Sequence, residues 1–301
     1  MPDGWLIALP CWGKKYRERF ARDCWPSWQA ALLWRQLPAR LLLHTDDPSF
    51  AHLFRDFLRV EVRPPPAQDR GSYHNAFANA HREALRDARM GEIVAIQNAD
   101  HILSVEAFAA AERRFRMGKK LIMCAGVRTV GPLFGAAPPI LASADLLQWA
   151  MHHAHTITQQ STYPHGQSGV SSVLYFQDDV NTVMRAWHLH PFAVLKDREL
   201  TFDGTVDRDL PDNFTPQEIH VVTSPHELAQ AEISPPTRHF ALRPDAMTED
   251  YLYWWGCKHA TDMHWHFFKH RIVLAGSDET YCDLMADRVL ARRRRDLVEA
   301  A

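Results

Sequence analysis

The sequence has no pair of cysteines at C-x-x-C spacing. Its five cysteines (Cys11, Cys24, Cys124, Cys257 and Cys282) are scattered and odd in number, which argues against a disulfide framework or a zinc ribbon and for a reducing compartment. No basic segment followed by an apolar core of signal-peptide length opens the chain, and no run of about 18 apolar residues occurs. A cytoplasmic protein is expected. Net charge is also scarce, at -2 over 301 residues, so nucleic acid is not expected as a partner. No G-x-G-x-x-G follows the first apolar run, and G-x-x-x-x-G-K-[ST] is absent, which removes the usual phosphate cradles of dinucleotide-binding and P-loop proteins. There is no H-E-x-x-H, no internal repeat and no low-complexity segment.

What is present is ordinary globular material, with 46% hydrophobic and 23% charged residues, enough for one large α/β domain with additions or two small ones. The unusual content is 18 His and 10 Trp. Runs at Trp5–Pro10, Leu41–Pro48 (ending in two carboxylates), Arg59–Arg63, Ile93–Ile96 and Lys120–Ala125 predict strands. Lys14–Trp34, Ser49–Leu58, Tyr73–Met90 and Ser104–Met117 predict helices, the second capped by Ser49 or Asp47. This alternation implies a mostly parallel sheet with helices on both faces. After Val130 the pattern changes. Gly131–Pro139 is a Gly/Pro-rich loop, Ala144–His155 a helix, and Ser161–Ser172 a polar segment suited to a loop over a site. Val173–Phe176 and Trp187–Leu195 predict strands, Thr201–Leu210 an acidic turn, and Thr248–Phe268 and Asp283–Ala301 helices.

The chain is organised around Ile93-Val94-Ala95-Ile96, a β-branched run that reads as a strand buried on both faces. It leads into Gln97, Asn98, Asp100 and His101. Ligands in open α/β sheets bind beyond the carboxyl ends of strands; the plainer reading is a turn that caps the next helix. Asp100 with His188 or His190 would suit a hard divalent cation such as Mg²⁺ or Mn²⁺, which neutralises a diphosphate leaving group. The alternative is two hydrogen-bonded core histidines.

The run from Tyr73 to Ser104 resembles the nucleotide-sugar half of GT-A glycosyltransferases. A helix with Asn75 and Asn79 near its start leads through Gly91 into a strand, and Asn98-Ala99-Asp100 stands in the place of the D-x-D motif. Asp46-Asp47, ending the second strand, resembles the acidic position used for the nucleoside. His190, or His188, is similar in placement to the late His that completes the metal site. The first D-x-D carboxylate is replaced by Asn98, the helix before the strand is longer than usual, and no Q-x-x-R-W signature occurs, although Gln177-Asp178-Asp179 can stand in for an acidic pair.

The resemblance implies a GT-A-like, mostly parallel sheet flanked by helices over residues 1–215, which bind the nucleotide sugar and carry catalysis. A mostly helical C-terminal extension over 216–301 would pack on it. It implies transfer of a sugar from a nucleoside-diphosphate-sugar donor to a glycan, lipid-linked or other hydroxyl acceptor, assisted by Mn²⁺ or Mg²⁺. Asp46, Tyr73, Asn75, Asn79, Asn98 and His188 would bind substrate, and Asp100 and His190 the metal. Asp207, or next Asp179, would be the base that deprotonates the acceptor. The plainer reading of these acids is a turn, since Asp203-Gly204 is a strong turn signal.

Three other readings stay open. A nucleotidyltransferase shares such a sheet, and Gly13-Lys14-Lys15 hints at its basic loop. Asn98 fits a nucleotide-sugar-binding protein without catalysis. His152, His153, His155 and His188 would make a metal-dependent hydrolase if they converged. The His/Trp helix from His259 to His270 reads as buried core or a homodimer face, with His266 and His270 at metal-ligand spacing as the weaker alternative. Arg292–Arg295 reads as a solvated helix end or a peripheral contact with anionic lipid headgroups.

Overall fold

The computed structural model describes residues 2–67, 73–130, 140–163, 173–234, 248–276 and 282–299, with side chains described from residue 76 onward in the helix that begins at Tyr73. Strand β1 (Gly4–Pro10) is buried along its length. Then come α1 (Lys14–Arg19), a π-helical turn (Phe20–Cys24) and α2 (Trp25–Leu33). Pro26 has no N–H to donate back into the preceding turn, which accounts for a widened ladder at this point. β2 (Ala39–His44), β3 (Arg59–Arg63), α3 (Tyr73–Asp87), β4 (Glu92–Ile96), β5 (His101–Leu103), α4 (Ala107–Arg116), β6 (Leu121–Cys124) and β7 (Gly126–Thr129) complete the first half. The second half begins with α5 (Ser143–His152), α6 (Thr156–Gln160), β8 (Thr162–Tyr163), β9 (Val173–Gln177), β10 (Thr182–Ala186) and β11 (His190–Leu195). It ends with α7 (Val206–Asp209), β12 (Ile219–Val221), β13 (Gln230–Ile233), α8 (Glu249–His259), α9 (Asp262–Phe268), β14 (Ile272–Ala275) and α10 (Leu284–Glu299).

The central sheet has seven strands in the order β12-β6-β11-β4-β1-β2-β3. All its pairings are parallel except those of β11, which runs antiparallel between β4 and β6. β4 therefore lies between two partners and buries all five residues, as its unbroken apolar run requires. Gly91 introduces it at φ 90°, where a Cβ would also run into the Asp3 carboxylate, so only glycine fits. Two smaller sheets, β14-β10-β9-β8 and β5-β13-β7, stand beside the central one.

Several sequence expectations need correction. β5 and β10 are additional strands: β5 pairs with the distant β13, and β10 forms a hairpin with β9 and pairs on its other side with the distant β14. The Ser49–Leu58 helix is a 3₁₀ helix over Pro48–Leu53, capped by the Asp47 side chain, which accepts from the Ser49 amide. The Thr248–Phe268 helix is two, because Thr261 and His264 form a capping box that starts α9 anew. His259, Met263, His266 and His270 consequently do not form one continuous helical stripe. The segment after residue 215 carries strands besides its helices: β12 completes the central sheet and β13 is inserted between β5 and β7. Residues 131–139 and most of the expected 161–172 loop lie outside the described residues.

A second core joins β9 and β10 to the C-terminal helices. Trp187 stacks on Phe268 (3.8 Å between ring centroids, 5° between planes) and meets Trp265 edge-on at 4.4 Å. A Cβ on Gly256 would stand 2.6 Å from Trp265 and 2.7 Å from Trp187, so this glycine lets α8 approach the indoles. Beneath the aromatics, buried Arg185 donates to Asp283 (2.5 Å), Asp287 (2.7 Å) and the Lys269 carbonyl (2.6 Å), and Arg271 also donates to Asp283 (3.0 Å). On the outer side of α10, Arg292 pairs with Asp250 (2.7 Å) and Arg293 lies 3.9 Å from Asp262. Half of the four-arginine run thus faces α8 and α9, while Arg294 and Arg295 are exposed. No described helix is long and apolar enough to cross a membrane.

Two outcomes are expected from these ion pairs. Asp283→Ala leaves the Arg185 guanidinium buried and under-compensated, and should lower unfolding free energy in denaturant titrations by roughly 3–5 kcal/mol. Glu227 accepts from Arg114 (2.6 Å) and His220 (2.8 Å). Burial opposes its ionisation, but these two partners outweigh it and hold its pKa at about 2. Its contribution to stability is therefore present above about pH 4.5, the ordinary carboxyl value, and is lost as pH falls toward about 2. In Tm measured against pH, Glu227→Gln should be less stable than wild type near neutrality and should converge with it in that acid window.

Candidate functional site

A cavity of about 750 Å³ opens at the carboxyl end of β4. The strand stops at Ile96 because Gln97 turns its side chain inward, donating to the Phe192 carbonyl of β11 (3.1 Å). The chain then turns through Asn98, Ala99 and Asp100, closed by the His101 amide donating to the Asn98 carbonyl (3.2 Å). Beyond the turn β5 is pinned from behind: Trp28 Nε1 donates to the His101 carbonyl (2.8 Å) and the Leu103 amide donates to Ser27 Oγ (3.1 Å). The turn is thus held between the central sheet and the small β5-β13-β7 sheet.

Five of the residues singled out from sequence line this cavity: Asn98, Asp100, His188, His190 and Asp207. They arrive from the β4–β5 turn, the entry to β11 and α7. Asp207 is delivered by a clamp: Asn79 accepts from Arg82 (2.7 Å), and Arg82 donates to the carbonyls of Phe202 (2.8 Å), Asp203 and Gly204 (3.0 Å) just ahead of α7. Asn79 accordingly positions the Asp207 segment and is not part of the cavity lining. Asp46 is not part of it either. Its carboxylate accepts from the Gly13 amide (2.9 Å) and from Arg17, and against a cost of burial these partners hold it below the usual carboxyl range. Asp179 is exposed in the turn between β9 and β10, beside Asp178, which caps that turn by accepting from Val180 and Asn181. The side chains of Tyr73 and Asn75 lie outside the described residues.

The histidines at the strand end form a neutral group. His190 Nε2 donates to the Ile96 carbonyl (2.9 Å), and His81 Nε2 to the Gln97 carbonyl (3.3 Å). The His101 ring stands edge-on to His190 at 4.7 Å. Burial lowers the pKa of all three, reinforced at His81 and His101 by their neighbours, and takes His81 to about 3. His188 is also lowered by burial, and its Nε2 has no hydrogen-bond partner among the described residues. The hydrolase histidines do other work: His155 caps α6 by accepting from the Ile157 amide (3.1 Å), and His153 stacks on Trp149 at 4.7 Å.

Besides Asp100 and Asp207, the charged groups of the cavity are Arg19, Arg128 and Glu232, which the sequence did not single out. Asp100 is pushed up to about 7, first by burial and then by the Glu232 carboxylate, with Arg128 opposing. Glu232 is cross-strand neighbour to His101 on one side and Arg128 on the other, and it accepts from Arg128 (3.0 Å) and from Ser234 Oγ (3.0 Å). Arg19, in the last turn of α1, also lines the cavity and makes no ion pair among the described residues. No motif marks Arg128 and Glu232, because pairing of β13 with β7 brings them together from distant positions.

The donor set bears on a metal. No group of three or more His, Cys, Asp or Glu converges to hold one among the described residues, and the Nε2 of His190 is committed to Ile96. Asp100 and the buried Asn98 Oδ1, which has no hydrogen-bond partner among the described residues, remain as two oxygen donors. Two oxygen donors in one short turn are of the hard type that Mg²⁺ or Mn²⁺ takes, with phosphate oxygens and water to complete its shell.

The fold is an α/β sheet of seven strands, parallel except at β11, flanked by helices. No family model matches the sequence, and no curated protein matches it. Among solved structures, S. aureus TarS 1-349 is similar with 11% identity and a TM-score of 0.39, over 96% of this chain and 71% of that one. A longer S. aureus TarS structure gives 12% identity and a TM-score of 0.38, over 96% of this chain and 43% of that one. A CMP:2-keto-3-deoxy-manno-octonic acid synthetase complexed with CTP gives 11% identity and a TM-score of 0.27, over 42% of this chain and 54% of that one. What the cavity can do is decided by its own residues.

The Arg82 clamp generates a test. Arg82→Ala removes charged donors from three carbonyls, each such bond being worth roughly 1.5–3 kcal/mol. Amide hydrogen exchange at residues 203–209 should rise sharply, while exchange in β4 stays as in wild type.

Proposed function

We propose that this protein is a glycosyltransferase that moves a sugar from a nucleoside-diphosphate-sugar donor to a hydroxyl of a glycan, lipid-linked or other acceptor. The observation that carries this reading is the convergence of Asn98, Asp100, His188, His190 and Asp207 on one cavity at the end of β4, with Arg19 and Arg128 beside them. Two guanidiniums suit a diphosphate, whose oxygens they bind with charge and paired N–H groups. Bound Mg²⁺ or Mn²⁺, held by Asp100 and Asn98 Oδ1, would neutralise the charge that develops on the departing diphosphate.

Asp207 is the base in this reading. It accepts the proton of the acceptor hydroxyl as that oxygen attacks the anomeric carbon and the bond to the diphosphate breaks. His188, kept neutral by burial and with a free ring nitrogen, is placed to hydrogen-bond the substrate. The nucleotidyltransferase alternative is weakened by the loop after β1. There the Gly13 amide is already used by Asp46, so the loop offers no open phosphate cradle at that position.

The test is calorimetric binding of UDP, GDP and CDP, with and without Mn²⁺, to wild type and Asp100→Ala. One nucleotide should bind, more tightly with Mn²⁺, and the mutant should lose that gain. Asp207→Asn should then keep nucleotide affinity while transfer falls about 10²–10⁴-fold, the usual worth of a general base. Binding of none of the three nucleotides would sink the proposal.

A further inference from the structure

One wall of the cavity is the polar face of β13. Gln230, Glu232 and Ser234 alternate along the chain and therefore share a face, and all three line the cavity. Gln230 is 1% exposed, and its Oε1 has no hydrogen-bond partner among the described residues. A buried carbonyl oxygen left unpaired costs on the order of 1–3 kcal/mol, so a ligand that donates to it regains that loss. Glu232 is different. One oxygen accepts from Arg128 and the other from Ser234 Oγ, and each oxygen keeps a further lone-pair direction.

We infer that the β13 face is a hydroxyl-recognition wall: Gln230 and Glu232 accept hydrogen bonds from the ring hydroxyls of a pyranose and select which sugar enters the cavity. This builds on the proposed activity and assigns the sugar's place in it. The chemistry separates a sugar from the other groups the site could hold. A row of acceptors repels phosphate, which presents oxygens of its own. The charge of Glu232 is already matched by Arg128, so a second cation gains little there. A hydroxyl supplies the proton that Gln230 Oε1 lacks and can also fill a vacant direction on Glu232. Arg19, which makes no ion pair among the described residues, remains for the diphosphate, dividing the cavity by polarity. The pyranose can belong to the donor or to a glycan acceptor.

The experiment uses the full chain as wild type, Gln230→Leu and Glu232→Gln, with Tm as the check on folding. Gln230→Leu removes an unsatisfied acceptor in favour of an apolar group of similar size and should not lower Tm. Glu232→Gln keeps the shape and covers the case in which the first variant misfolds. The probes are UDP, GDP and CDP, their common hexose conjugates, and free oligosaccharides at millimolar concentration, with binding read by calorimetry and ligand-observed NMR. If the sugar is the donor's, the conjugate binds wild type more tightly than its bare nucleotide, and either variant loses about tenfold for the conjugate only. If it is the acceptor's, an oligosaccharide binds wild type and is lost in the variants while nucleotide binding stays. Sugar binding lost in the variants with no nucleotide binding in wild type would support this wall and overturn the proposed function. Equal binding of every probe to wild type and variants would overturn the wall and leave that function standing. Absence of both nucleotide and sugar binding would overturn both.

Discussion

The hydrogen bond from Trp28 Nε1 to the His101 carbonyl is the constraint on which the site depends. A strand end is a poor place to hold side chains unless the chain leaving it is fixed, since loop backbone orders at a cost of about 1–2 kcal/mol per residue. Here β4 is fixed on one side of the turn by β1 and β11, and β5 on the other by β13 and by α2. Three residues, Asn98 to Asp100, are left to span two rigid sheets. Their direction is decided by elements that make no contact with a ligand. The π-helical turn matters for the same reason, because it ends at Cys24, just before the segment that presents Ser27 and Trp28 to β5.

Burial of the turn has an electrostatic consequence. Gln97, His81 and His190 donate to backbone carbonyls around the strand end, and His101 Nδ1 accepts from the Asn98 amide, all without charge. Positive charge instead enters from α1 and β7, through Arg19 and Arg128, and negative charge from the turn and β13. The cavity is therefore organised by sheet: neutral donors and acceptors at the central sheet, ions at the small one. A buried carboxylate and a buried guanidinium are each costly alone. Pairing Glu232 with Arg128 across β13 and β7 keeps both charges in the wall at a tolerable desolvation cost.

Much of the frame was legible in the sequence because its signals are local. β1, β2 and β4 are apolar runs with no polar interruption, Asp47 caps the following turn as its position suggests, and Asn98-Ala99-Asp100 falls at a strand end where ligands bind. What was hidden depends on contacts distant in sequence. β5 is three residues long and is a strand only because β13 pairs with it; β10 needs β9 and β14. The periodicity of Thr248–Phe268 continues past Ala260, so only the Thr261–His264 cap shows the break. The same reason explains the site. Asn98, Asp100, His188, His190 and Asp207 stand at readable strand and helix ends, whereas Arg128, Gln230 and Glu232 lie inside short strands of unremarkable composition. Asp46 and Asp179 show the converse, since a carboxylate at a strand end is equally suited to bind a neighbouring backbone amide or to stand in solvent.

The turn also accounts for the amide where the resemblance leads one to look for a carboxylate. Desolvation first and the nearby Glu232 carboxylate second hold the Asp100 carboxyl above the usual range. A third carboxylate at position 98 would add like charge to a poorly solvated group, and at least one of the three would have to stay protonated. Asn98 avoids this. Its Oδ1 offers a cation the same kind of hard oxygen without a charge to desolvate, and its amide group can donate where a carboxylate cannot. A second carboxylate of the cavity is Glu232, on the strand opposite the turn and tied to Arg128. An amide at position 98 thus leaves the turn with one carboxylate to desolvate rather than two.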